Sequence, residues 1–262
     1  MGHVRTGPLP ATRKWNHVVA LIAGGASAAQ VAVGTLDAAE KGLKYAAQDP
    51  GVVETVWLLV RLPLAARAPD FPAALRRCGV EAGDAPGLLE IAAGFSDAVD
   101  SRMPNGRGRT DLGEMAQTAG VETLNAVVGP RLRHLFGAAP EDVTAAFAAL
   151  ATVKQFGTLA AHFFARFARK CLTYFLSKTL PEHVGGGGRF HTTAEYARFT
   201  DALDTHCREA SRIVETFAGE WFSKHNWQAA GDITREETGR FVAHAMTKLS
   251  AELRKREGGR GT

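Results

Sequence analysis

Apolar side chains recur every three or four positions along most of this chain, and no stretch shows the two-residue alternation of a half-buried strand. Tyr196, Phe199, Leu203, Cys207, Ala210, Val214 and Phe217 trace one stripe, and Phe241, Ala245, Leu249 and Leu253 trace another. Upstream, Phe156, Ala160, Phe163, Phe167, Cys171 and Tyr174 trace a third, in a run that Thr152 precedes and Pro181 follows. This periodicity predicts an all-α protein, a multi-helix bundle of about nine to eleven helices with a long central helix near 153–180.

The punctuation between the stripes places the other helices. Thr12 is a candidate N-cap for a first helix over about 13–32, with a bend at Gly24-Gly25. A second helix is expected from Thr35 to about Gln48. Asp49-Pro50 restarts the helical pattern, since a proline in the first turn has no N–H to waste. Val53, Val56, Trp57, Val60 and Leu64 share one face of that helix. A short helix from Phe71 should stop at Gly79, and Pro86 should open the next, with Leu88, Leu89, Ala92, Phe95 and Val99 inward. Pro104–Arg109 reads as a loop, Thr110 or Asp111 caps a helix to about Val128, and Pro130 starts a short turn ending at Gly137. Pro140 opens a helix whose Glu141 and Asp142 suit the positive end of its dipole. His183–Arg189 is a glycine-rich break. Thr192–Glu195 and Thr234–Glu237 both read as capping boxes, and Glu220–Trp227 reads as a connection between helices. Two regions follow, 1–130 and a basic 131–262, with one continuous helical domain as the alternative.

Composition agrees with the pattern. Hydrophobic residues form 45% of 262 residues, enough for a sizeable core, and alanine, the best helix former, is abundant. The net charge of +4 is uneven: residues 1–130 carry 12 Lys/Arg against 13 Asp/Glu, whereas 131–262 carry 19 against 14. Attraction to an anionic partner therefore belongs to the second half. Cys78, Cys171 and Cys207 are too few and too far apart for a disulfide framework or a zinc site, and fit three reduced thiols in a cytoplasmic protein. The Ala/Gly/Arg-rich composition points to a bacterial source.

Val18–Leu36 holds no charge over 19 residues, the length of a short membrane span, but it is built mainly of small residues with Gln30 in the middle. A buried helix fits it better than a bilayer helix. The central run has a different peculiarity. Between Asp142 and Glu182 there are 39 residues without a carboxylate, among them Lys154, His162, Arg166, Arg169, Lys170 and Lys178. On a helix His162, Arg166, Arg169, Lys170 and Thr173 share a face. That face suits phosphates, an acidic protein groove or an anionic membrane surface, or it pairs with acids such as Asp201, Asp204, Glu209 and Glu215 inside the bundle.

Weaker candidates surround it. Gly185–Gly188 followed by Arg189 has the flexibility of an anion nest, but it lacks the strand and the Lys-Ser/Thr of a phosphate loop. Asp201, Asp204 and His206 on one helix lack the Glu-x-x-His pattern of helical metal sites, and a solvated face is expected. Trp221, Lys224 and Trp227 within Glu220–Trp227 form a candidate recognition patch. Arg240–His244 and His162–Arg166 each place an arginine and a histidine one turn apart. This faintly resembles the Arg-spacer-His arrangement of HEPN ribonucleases, which are also all-α, although that family has a longer spacer and a polar residue beside the arginine. The resemblance implies a nuclease as one alternative.

No catalytic set, metal ligand spacing or cofactor motif emerges from the residues. The expected function is a non-enzymatic helical binding or scaffold protein, an accessory subunit of a larger bacterial system, that contacts a protein or nucleic-acid partner. The surface expected to do this comprises Arg166, Arg169, Lys170, Lys178 and Arg189, with Trp221, Lys224 and Trp227. The alternatives are a membrane-associated protein using Val18–Leu36 and the HEPN-like nuclease.

Overall fold

In a computed structural model, residues 12–103, 110–132, 138–228 and 232–256 are described. The loop expected at 104–109, the helix end expected at Gly137 and the last six residues of the basic tail lie outside them. Among the described residues 80% are helical, 3-10 turns included. Ten α-helices follow one another: α1 (Arg13–Ala23), α2 (Ala28–Leu43), α3 (Pro50–Ala65), α4 (Phe71–Arg77), α5 (Leu88–Arg102), α6 (Asp111–Val128), α7 (Pro140–Ala148), α8 (Val153–Leu176), α9 (Thr193–Gln228) and α10 (Arg235–Lys255). The all-α bundle is as the periodicity predicts.

Local chemistry sets most of the boundaries. Thr12, Asp49, Asp70, Thr110 and Thr152 each cap a helix N-terminus by accepting a backbone N–H two or three residues on. Thr234 and Glu237 complete a reciprocal capping box at α10. At α9 the Thr192 hydroxyl accepts from Glu195 N, while the Glu195 carboxylate takes the N–H of His191.

Three boundaries differ from the expectation. The uncharged run Val18–Leu36 is not one bent helix. It breaks at Gly24–Ala26, and Ser27 with Gln30 forms a capping box that starts α2 afresh. α8 ends at Leu176, short of 180. Pro181 offers no N–H, and its ring crowds the carbonyl of residue 177, so the chain tightens into a 3-10 turn over Leu180–His183 instead. α9 does not end near Glu220 but runs to Gln228. Phe222 continues the buried row one turn beyond Ala218 and stacks on Phe156, with ring centroids 4.2 Å apart, so packing holds the last two turns in place.

Two layers of contact meet at α8. One flank packs along α9 and the other on α6, which in turn packs on α3. α10 closes over α3 and α9, and α2 lies across α8, α9 and α10. One cluster of buried apolar side chains runs from Trp15 to Leu253 and crosses the 130–140 region. Leu88, Ala92, Phe95 and Val99 of α5 face inward as expected, whereas Leu89 is exposed. Fourteen residues of α8 are buried, including Phe156, Phe163, Phe164, Phe167 and Phe175, so its apolar arc covers most of the helix circumference. That is the signature of a helix surrounded by others.

α8 and α9 run antiparallel, because Gly219 lies against Val153, Gly157 against Glu215 and Arg169 against Asp204. The two glycines bring the backbones together. A Cβ on Gly157 would approach Glu215 O to 2.8 Å, and one on Gly219 would overlap the Val153 carbonyl.

Among the described residues no single helix is long and apolar enough to cross a membrane. Taken together α7 and α8 reach that length and composition, but they meet at 93°.

Candidate functional site

α8 and α9 enclose a groove of about 630 Å³ on their outer side. Its floor is small, Ala161 and Ala165 of α8, both buried. His162, Arg166 and Arg169 stand along the α8 wall, and Asp204, Arg208 and Arg212 along the α9 wall at four-residue spacing. Thr158 and Glu215 close one end, where the Thr158 hydroxyl donates to Glu215 Oε1 at 2.9 Å. Thr200, Asp201 and Asp204 close the other. At 1.5 Å per residue, Thr158 to Arg169 gives the groove a length of about 16 Å.

The basic residues in this groove are not equivalent. Arg169 is held by Asp204 at 3.3 Å and lies 3.9 Å from Glu122 of α6. Arg208 lies 3.3 Å from the other oxygen of Asp204 and donates to Thr205 at 3.0 Å. Arg166 is half-buried and has neither kind of anchor. Its Nη1 donates to the carbonyl of His162 at 3.0 Å and lies 3.1 Å from His162 Nδ1. Among the described residues no carboxylate oxygen lies within 4.0 Å of Arg166 or of Arg212. Burial lowers the Arg166 guanidinium from its ordinary value, while Glu122 and Asp204, further away, pull it back up. Partial desolvation and then Arg166 hold the His162 imidazole below its ordinary value; Glu215 opposes this and Arg208 adds to it. With Nδ1 facing the guanidinium, the proton of the neutral ring belongs on Nε2.

The other expected residues divide among separate places. Lys170 turns to the α6 side, where Nζ binds Glu122 at 2.7 Å. A second groove of about 430 Å³ lies there, lined by Asp111, Glu114, Lys170 and Tyr174, with the Tyr174 hydroxyl donating to Asp111 at 2.8 Å. Lys178 lies just beyond α8 with Nζ 5.2 Å from the Tyr174 ring centre. Arg189 is a staple. It donates to the Ala26 carbonyl between α1 and α2 and stacks over Phe199 at 4.5 Å and Phe190 at 5.0 Å. The turn that delivers it needs Gly185, Gly186 and Gly187, all at positive φ. Trp221 packs on Phe241, 4.3 Å away and nearly parallel, and against His225. Lys224 is exposed, and Trp227 is 85% exposed. Only Arg166 and Arg169 of the expected surface therefore share the α8–α9 groove.

Sequence reasoning missed Arg208 and Arg212 as partners of Arg166. Their four-residue spacing from Asp204 was visible, but nothing local says which helix that row faces. Of the face expected to be solvated at Asp201–His206, Asp201 is exposed and Asp204 half-buried, whereas His206 is buried.

Nucleophilic and metal chemistry have little material among the described residues. Burial pushes the Cys171 thiol far up and the Cys207 thiol up to about 12, so both stay protonated at neutral pH. No group of three or more His, Cys, Asp or Glu side chains there could hold a metal ion. The two Arg/His pairs lie on different helices: Arg240 is 3.4 Å from Glu236, and the His244 ring meets Phe217 edge-on at 4.9 Å.

No protein-family model matches the chain, and comparison with curated proteins and with solved structures finds no match either.

Proposed function

We propose that this chain is a non-enzymatic helical binding protein, an accessory subunit that docks on a protein partner through the α8–α9 groove. One observation carries the reading: Arg166, half-buried in the groove, has no carboxylate within salt-bridge distance among the described residues. A half-buried guanidinium has lost part of its water, so a partner anion that pairs with it gains a charge-assisted contact at a reduced desolvation cost. A protein partner fits better than nucleic acid. Asp201 and Asp204 flank the arginines at one end of the groove and Glu215 at the other, and each would repel a phosphate backbone that tracked the groove. Mixed charge of this kind sets register and specificity between two proteins.

The test is a photo-crosslinking amino acid at Thr200, on the groove rim, in the cells that make the protein. The expected result is an adduct with one defined protein, lost when Arg166 and Arg212 are both changed to Glu. Adducts to RNA or DNA, or adducts indifferent to that double change, would overturn the reading.

A further inference from the structure

Resting on that reading, we infer that the centre of the groove is a seat for one carboxylate, presented by an aspartate or glutamate side chain of the partner. Three groups line this groove with donors to spare. Arg166 spends only Nη1, on its own helix, and Arg212 has no ionic partner among the described residues. His162 offers Nε2–H once Nδ1 is occupied by Arg166. Arginine forks match the planar, two-oxygen geometry of a carboxylate.

Charge decides between a carboxylate and a phosphate. The lining holds four arginines, Arg166, Arg169, Arg208 and Arg212, against three acids, Asp201, Asp204 and Glu215. The balance is one positive charge, which one monoanion neutralises. A phosphate dianion would overshoot it, with Asp204 at one end of the guanidinium cluster and Glu215 at the other. The small floor of Ala161 and Ala165 leaves room for a side chain to enter between the walls.

Binding should also take up a proton in part. His162 faces Arg166 from its own helix and Glu215 and Arg208 from α9. An anion beside it favours the imidazolium, so its titration midpoint must rise when the seat fills, and affinity must grow as pH falls towards that midpoint.

Side-chain NMR of the full chain tests this with acetate as the probe, at ionic strength held constant with chloride. We expect saturable shifts at the Nε–H of Arg166 and Arg212 and a higher His162 midpoint. Arg166→Met should weaken acetate at least about tenfold, the loss of one charge-assisted contact. Lys248→Met, on the exposed face of α10, should leave it unchanged. The inference fails if chloride gives the same shifts, if Arg166→Met retains them, or if inorganic phosphate binds more than tenfold tighter than acetate. Acetate binding without a Thr200 adduct would sink the partner reading alone. An adduct without acetate binding would sink only the carboxylate seat.

Discussion

Arg235, at the start of α10, and Arg166, in the middle of α8, are both half-buried arginines, and the fold treats them in opposite ways. Arg235 meets Glu54 of α3 in a two-point fork, Nε to Oε2 at 2.5 Å and Nη2 to Oε1 at 2.8 Å, and its guanidinium carbon lies 3.6 Å from the Trp57 ring centre. Arg102 approaches the same carboxylate at 3.8 Å, and Trp57 Nε1 donates to Ile233 O at 2.8 Å. Glu54 is only 3% exposed, so this cluster is closed and locks α10 to α3. Around Arg166 the same residue type is given a histidine from its own helix and an open groove. A matched arginine holds two helices together. Arg166 ties no second helix: its Nη1 contacts only His162 of its own helix.

The sharpest way to break the comparison is to remove both arginines in the same manner. Arg235→Met leaves the buried Glu54 carboxylate with only the long contact to Arg102, and we expect a loss of about 3 kcal/mol in urea unfolding. Should that variant unfold at the parent's midpoint, the closed cluster is no lock. Gly219→Ala comes next, at about 1–3 kcal/mol, because its methyl must push α9 off the Val153 carbonyl. It should also widen the groove and weaken acetate. Unchanged thermal stability would mean that the α8–α9 approach is slack. Arg166→Met should change stability by no more than about 0.5 kcal/mol, or raise it, since no ionic partner is abandoned. A loss comparable to that of Arg235→Met would assign Arg166 to the scaffold.

The smallest effect is in pH. His162 starts from an unfolded value of 6.5 and is held lower in the folded chain. Between those two values the unfolded state binds more protons, so stability rises with pH across the window and is lost as pH falls below about 6.5. His162→Gln should flatten that part of the stability curve. An identical slope in the variant would assign the titration to another group.

Much of this fold was legible in residue order, because helix stripes and caps are local. The stripes over 196–217 and 241–253 pack inward as their spacing demands, with Tyr196 and Phe217 only partly covered, and both threonine-glutamate signals start helices. Where the reading went astray, distant contacts outvoted local preference. Glu220–Trp227 has the look of a connection, yet Phe156 lies where Phe222 can stack on it. At Val18–Leu36, by contrast, the deciding signal was local: Ser27 and Gln30 form the capping box that starts α2 afresh after Gly24–Ala26.

The site divides along the same line. The sequence by itself determined that α8 would be an aromatic helix with a basic edge, since composition and three-four spacing settle both. It could not say which basic residues would be used up. That depended on Glu122 of α6 lying beside Lys170, on Asp204 of α9 lying beside Arg169, and on no carboxylate among the described residues coming within salt-bridge distance of Arg166. Charge pairing acts through a few ångströms of space, and residues 48 or 35 positions apart become neighbours only when the helices pack. Tertiary structure therefore turned a uniform basic face into cations with carboxylate partners and one arginine, Arg166, with none within salt-bridge distance among the described residues.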